Sequence, residues 1–191
     1  MGRLLLIRHG ESEGNRDRVF TRSPEVPLTP TGRQQARETA QFVRERYEPG
    51  LLVSSPFTRA RQTAEIIGEV LGLDLSIEED LRERSYGEYA GLPYDTARPQ
   101  FDPGAYWDWR PPGGETLEEV AVRVGRALDR ISAGAHHRDV VVVSHGAVMM
   151  ALWRHVTGEW AMPGRVVRNA GILLVEHDAG RYREAVLLEG P

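Results

Sequence analysis

Two distant segments of this 191-residue chain end alike: LLLIRHG at 4–10 and VVVVSHG at 140–146. In each, four apolar residues are followed by one polar residue and then His-Gly. An unbroken apolar run of this length, without alternation, suits a strand buried on both faces, as in a parallel sheet covered by helices. Parallel neighbours need long crossovers, and the chain between supplies them. Residues 51–55, 73–77, 171–177 and 182–188 also read as strands. Helices read at about 33–47 (announced by TPTG), 56–71, 115–132 and 147–156, with apolar residues at helical spacing such as Ala36, Ala40 and Val43. The expected fold is α/β in three layers: a mainly parallel central sheet flanked by helices, in one domain over 1–191. The last two strands, joined by DAG, read as a hairpin that adds an antiparallel edge.

Composition removes several chemistries. Twenty-four basic residues stand against 28 acidic ones, a formal net charge of −4, which gives no support for binding nucleic acid or a membrane surface. There is no cysteine, and every basic residue is arginine. Disulfides, thiol nucleophiles, Schiff bases and a P-loop lysine are excluded. No stretch approaches the roughly 18 apolar residues of a membrane span. The apolar run at the N-terminus is too short for a signal peptide, so the cytoplasm is the expected location. The pair of histidines in HHRD (136–139) reads as solvated, and no metal site is expected.

In a parallel sheet the carboxyl ends of the strands share one edge, where ligands bind. His9 and His145 should therefore meet across one site, although either alone reads equally well as a buried, hydrogen-bonded ring. Gly10 and Gly146 read as places where the backbone turns sharply and approaches a ligand. Arg8 adjoins His9, and Arg59 opens a helix after another strand. Arginine forks at such an edge, in an acidic chain, suit an anionic ligand such as phosphate. Glu83, following the third strand, is a candidate proton donor, or else a surface carboxylate paired with Arg82 or Arg84.

Five blocks, RHGESEGN, SSPFTRARQTAE, LRERSYGEYAG, PGGET and VVVSHGAV, together resemble the histidine phosphatase superfamily, which includes cofactor-dependent phosphoglycerate mutases and small phosphatases. The resemblance spans about residues 3 to 172. It implies that His9 is the nucleophile that becomes phosphohistidine, its second ring nitrogen fixed by a main-chain carbonyl. It implies that Arg8, Arg59 and a cationic His145 grip the phosphoryl oxygens, with Asn15 and Gly146 at the same group, and that Glu83 protonates the leaving oxygen. It calls for no metal and no cofactor. PGGET is explained more plainly by structure: the glycines turn the chain, and Glu115 or Thr116 caps the next helix.

The expected activity is that of a histidine acid phosphatase-type phosphatase, a phosphomonoester hydrolase acting on a small phosphorylated metabolite. The alternatives are a cofactor-dependent phosphoglycerate mutase and a catalytically inactive phospho-ligand or protein-binding module. The segment 88–112, broken by prolines, reads as a lid. Its bases are Arg98 and Arg110, set against several acids. Its rings are Tyr89, Tyr94, Phe101, Tyr106, Trp107 and Trp109. Such a lid suits a flat or apolar leaving group better than a polyanion, or its rings simply pack it onto the core. A homodimer is possible, with Trp153 or Trp160 either at its surface or in the core.

Overall fold

The computed structural model describes residues 1–97, 107–160, 167–178 and 181–188. Arg98, Phe101, Asp102 and Tyr106 of the expected lid lie outside them. Six strands form one sheet in the order β3-β2-β4-β1-β5-β6. They are β1 (Gly2–Arg8), β2 (Pro49–Ser54), β3 (Leu75–Ile77), β4 (Asp139–Ser144), β5 (Ile172–Asp178) and β6 (Arg181–Leu188). β1 pairs in parallel with β4, and β2 pairs in parallel with β4 and β3. β5 runs antiparallel to both β1 and β6. The expected antiparallel edge is therefore present, and it begins one strand further into the sheet.

The apolar runs divide by parity, as a two-sided sheet demands. Leu4, Leu6, Val140 and Val142 pack on one face with α5 (Leu117–Gly134) and α6 (Gly146–Thr157). Leu5, Ile7, Val141 and Val143 pack on the other face with α2 (Pro30–Arg46) and α3 (Thr58–Leu71). All eight of these strand side chains are fully buried. Two further short helices, α1 (Glu13–Arg16) and α4 (Tyr94–Ala97), lie near the carboxyl edge. Among the described residues no helix is long and apolar enough to cross a membrane.

The helix boundaries follow local chemistry. Thr29 caps α2 by accepting from the Gly32 amide at 3.0 Å, and Pro30 takes the first helical position, where its missing N–H costs nothing. In PGGET it is Thr116, not Glu115, that caps α5, in a reciprocal capping box with Glu119. α3 and α6 differ: their N-cap residues, Phe57 and His145, make no side-chain capping bond.

Candidate active site

Register brings the two histidines together. Arg8 pairs with Ser144, and the His9 amide donates to the Ser144 carbonyl at 2.9 Å. One step past the strand ends, the rings of His9 and His145 stand edge to face with centroids 5.2 Å apart. Both are buried, with 2% and 0% of their surface exposed. The Arg59 side chain, 2% exposed, comes in from the first turn of α3. A cavity of about 540 Å³ opens at this edge, lined among others by Arg8, His9, Asn15, Arg59, Glu83 and Gly146.

The two rings use their nitrogens differently. His9 Nδ1 lies 2.7 Å from the Gly10 carbonyl, which can only accept, so Nδ1 carries the proton. Its Nε2 then holds a lone pair, and Arg59 Nε donates to it at 3.2 Å. His145 places Nε2 2.7 Å from Ser55 Oγ, and its Nδ1 is buried without a partner. Arg8 Nε and Arg59 Nη1 are likewise buried and unpartnered. Buried polar groups nearly always find partners, so three orphans around one ring pair mark a place built for a guest rich in acceptors. The N-terminus of α6, where His145 makes no capping bond, also opens here: Gly146 and Ala147 line the cavity, and helix N-termini favour anions.

Burial, reinforced by the Arg59 and Arg8 guanidiniums, holds His9 well below the usual imidazole range. Burial does the same to His145, with Arg59, His9 and Arg8 adding to it. The expected cationic His145 is disfavoured by these surroundings: burial first, then two arginines and a second imidazole, all favour the neutral ring. Burial pushes the Glu83 carboxyl upward, against the opposing pull of Arg59.

Glu83 is held by a clamp. Arg123, on α5, donates to the carbonyls of Asp80 (2.6 Å), Arg82 (2.8 Å) and Glu83 (3.2 Å). The same guanidinium grips Glu115 through two bonds of 2.9 Å, and Glu115 accepts from the Ser85 amide. The role of Glu115 in PGGET is therefore to brace the loop that carries Glu83. Arg82 pairs with Asp80 and Glu115, so the flanking arginine is spent elsewhere.

Besides Arg123, three residues escaped the sequence reading. Ser55 sits one step past β2, the position equivalent to His9 and His145, so strand-end logic applied to LLVSS reaches it. Thr63 accepts from the Gly10 amide (3.1 Å) and donates to the Arg59 carbonyl (2.8 Å), tying the β1 end to α3. Asn169 donates to the His9 carbonyl (3.1 Å) and to Asn15 Oδ1 (3.0 Å). Asn15 Oδ1 also accepts from the Ser12 amide, which leaves its NH₂ group on the cavity side, 3.4 Å from the Tyr94 hydroxyl. Asn169 reaches this edge because β5 is antiparallel and begins where the other strands end. No local signal announces that.

The glycines require a different explanation. Neither Gly10 nor Gly146 has a positive φ. A Cβ on Gly10 would fall 2.3 Å from the Gly32 carbonyl oxygen, so Gly10 permits the start of α2 to pack against the end of β1. At Gly146 a Cβ would meet only the Arg8 guanidinium, at an ordinary 3.5 Å. The lid rings also divide. Tyr94 lines the cavity, whereas Tyr89 and Trp109 pack against each other at 5.6 Å and Trp107 stacks on Trp160 at 5.1 Å. Trp153 belongs to the core under α6.

A sheet edge with paired imidazoles and arginine forks around one cavity defines a class: an α/β protein with a cationic, histidine-bearing pocket at the carboxyl ends of its strands. The comparisons make that class specific. The family model for histidine phosphatase superfamily (branch 1) matches residues 4–188, and the chain belongs to that family. It is 34% identical over 158 residues to the uncharacterized phosphatase PhoE of Bacillus subtilis, covering 83% of this chain and 79% of that one. It is 34% identical over 189 residues to a 2,3-bisphosphoglycerate-dependent phosphoglycerate mutase of Methylobacterium radiotolerans, covering 90% and 87%. Among solved structures, mycobacterial glucosyl-3-phosphoglycerate phosphatase Rv2419c in complex with VO3 superposes with a TM-score of 0.85 at 28% identity, over 100% of both chains. Phosphatases and phosphoglycerate mutases thus stand among its relatives.

Proposed function

We propose that this chain hydrolyses a small phosphomonoester through a phosphohistidine at His9. The observation that carries the reading is the trio of buried, unpartnered nitrogens on Arg8, Arg59 and His145 around an imidazole whose tautomer leaves Nε2 nucleophilic. Three equatorial phosphoryl oxygens supply the acceptors those groups lack, and charge spreads onto these oxygens during transfer. Arg59 Nε donates to the Nε2 lone pair. A bound phosphate draws the guanidinium onto its own oxygens and frees the nucleophile. Ser55 Oγ already accepts from the Phe57 amide at 3.3 Å, so its hydroxyl hydrogen is available to His145 Nε2. That leaves Nδ1–H of His145 as the donor facing the anion.

The chemistry balances in two steps. His9 Nε2 forms the N–P bond as the ester P–O bond breaks, and Glu83, whose burial favours the protonated form, gives its proton to the leaving oxygen. Water then attacks phosphorus, Glu83 takes its proton, and phosphate leaves with Nε2 restored. The cations come from the chain itself, so the reaction needs no metal.

The mutase relative supports a second reading, in which a hydroxyl replaces water as the acceptor. Phosphate release from p-nitrophenyl phosphate in EDTA tests the first. Metal-independent release that is lost in His9→Ala supports it. Interconversion of phosphoglycerates stimulated by a bisphosphorylated primer, without net phosphate release, replaces it with the second. Inactivity across a broad panel of phosphoesters leaves a binding module instead.

A further inference from the structure

The cavity is much larger than an anion site. Its volume of about 540 Å³ falls in the range that encloses a drug-sized molecule. Alongside its polar groups, the wall carries Phe20, Phe57, Tyr86, Tyr94 and Met150. The rings hold one another in place: Phe20 lies 4.5 Å from Tyr86 and 5.0 Å from Tyr94, centroid to centroid. Such a wall is a preformed surface for a flat or aliphatic body.

One exposed cation joins that wall. Arg8 donates to the Val167 carbonyl, Arg59 to His9, and Arg84 to the carbonyls of Glu115 and Trp109. The Arg18 guanidinium also lines the cavity, and it has no hydrogen-bond or ion-pair partner among the described residues. Its backbone is unusual. Arg18 follows the C-cap of α1 with φ at 56°, in the left-handed region where glycine or asparagine is the usual residue. The strain is held in place by bonds on both sides: its amide donates to the Asn15 carbonyl at 3.2 Å, and its carbonyl accepts from the Tyr94 amide at 2.9 Å. A position that glycine fills without strain carries a long cation instead, at a cavity that also holds an aromatic wall.

From this juxtaposition we infer that Arg18 selects the substrate: the leaving group carries an apolar, flat body against the Phe20–Tyr94 wall and a second anionic group that Arg18 pairs with. This rests on the phosphatase reading of the same site and extends it from the phosphoryl group to the rest of the molecule. It also separates this pocket from one built for a compact polyanion, where apolar walls leave charges unpaired.

The test compares Arg18→Gly with wild type on phenyl phosphate, 4-carboxyphenyl phosphate and 4-(2-carboxyethyl)phenyl phosphate. Glycine suits the left-handed backbone, so the variant keeps the fold, and its melting temperature should not fall. The loss in kcat/KM on at least one carboxylate substrate should exceed the loss on phenyl phosphate by about tenfold, mostly through KM, as expected for one exposed charge-assisted contact. Taking the ratio of variant to wild type on each substrate cancels differences between leaving groups. Arg18→Lys should recover part of the selectivity, and added salt should erode it. Equal losses on all three substrates, or none, overturn the inference while leaving the phosphatase reading intact. A wild type that releases phosphate from none of them overturns the phosphatase reading, and this one with it.

Discussion

The ends of β1 and β4 carry the same His-Gly step in the same register, yet the two imidazoles are set up for opposite tasks. At β1, His9 turns Nδ1 onto the adjacent Gly10 carbonyl, and its Nε2 lone pair faces Arg59 Nε. At β4, His145 gives Nε2 to a hydroxyl from β2 and leaves Nδ1 unpartnered. Local sequence is shared; the neighbour that engages one nitrogen decides what the other can do. In the proposed reaction the imidazole fixed by a carbonyl serves as nucleophile and the one held by a hydroxyl as donor. Both rings are kept neutral by burial among cations, so the asymmetry lies in hydrogen bonding rather than in charge.

The strongest way to break this comparison is His9→Ala. Loss of the covalent route should reduce phosphate release by about 10⁴-fold or more. A phosphoenzyme that still forms, with label on residue 145, would show the roles reversed. Glu83→Gln separates what the strand ends supply from what the clamped loop supplies. With an alkyl phosphate the loss should be about 10²- to 10⁴-fold, the usual range for a general acid. An activated aryl ester should lose much less, and equal losses on both would remove Glu83 from the acid role. His145→Ala should cost about 10²- to 10³-fold, the scale of one oxyanion donor, with phosphoenzyme still formed. Ser55→Ala removes the hydroxyl from the β4 ring and from the Phe57 amide: a loss of about tenfold fits one neutral hydrogen bond to His145, and no change in rate would mean Ser55 does not orient His145.

The smallest effects are in pH. His9 must be neutral to attack, and its lowered pKa keeps it so until the solution is well below 6.5, so the acid limb of kcat/KM should lie below the ordinary imidazole range. Glu83 must be protonated to donate, and its raised pKa moves the basic limb above the ordinary carboxyl range. With an aryl ester that basic limb should fade. Stability follows the same histidines. Below pH 6.5 the unfolded chain takes up protons that the folded His9 and His145 refuse, so stability falls as pH drops from 7 toward 5, by up to about 1.4 kcal/mol per pH unit for each ring. Chemical denaturation of His145→Gln across that window should give a shallower slope than wild type.

Much of the fold was legible because it is written in local periods. Runs such as 4–7 and 140–143 have no polar alternation, and the helices between them keep an apolar stripe. That combination has few solutions other than a covered parallel sheet. His9 and His145 were legible for the same reason, since each stands directly after a strand whose end must lie at the shared edge; Arg8 closes β1, and Arg59 lies in the first turn of the helix that follows β2. Ser55 was equally accessible and was passed over, because a serine in SSP reads as turn chemistry. Asn169 and Arg123 were not accessible. The first depends on β5 entering the sheet in reverse, and the second on a helix lying across a loop some forty residues earlier in the chain.

By itself, then, the order of residues determined the layers, the strands that end together and the chemical types gathered at their ends. Backbone periodicity and the rule that parallel strands share a carboxyl edge are local or topological constraints. Only the folded molecule decided which imidazole nitrogen is free, how neutral each ring is, which carbonyls Arg123 ties together, and which rings face the cavity rather than the core. Those properties depend on neighbours brought from remote parts of the chain to within hydrogen-bond distance, and on the water that their packing excludes.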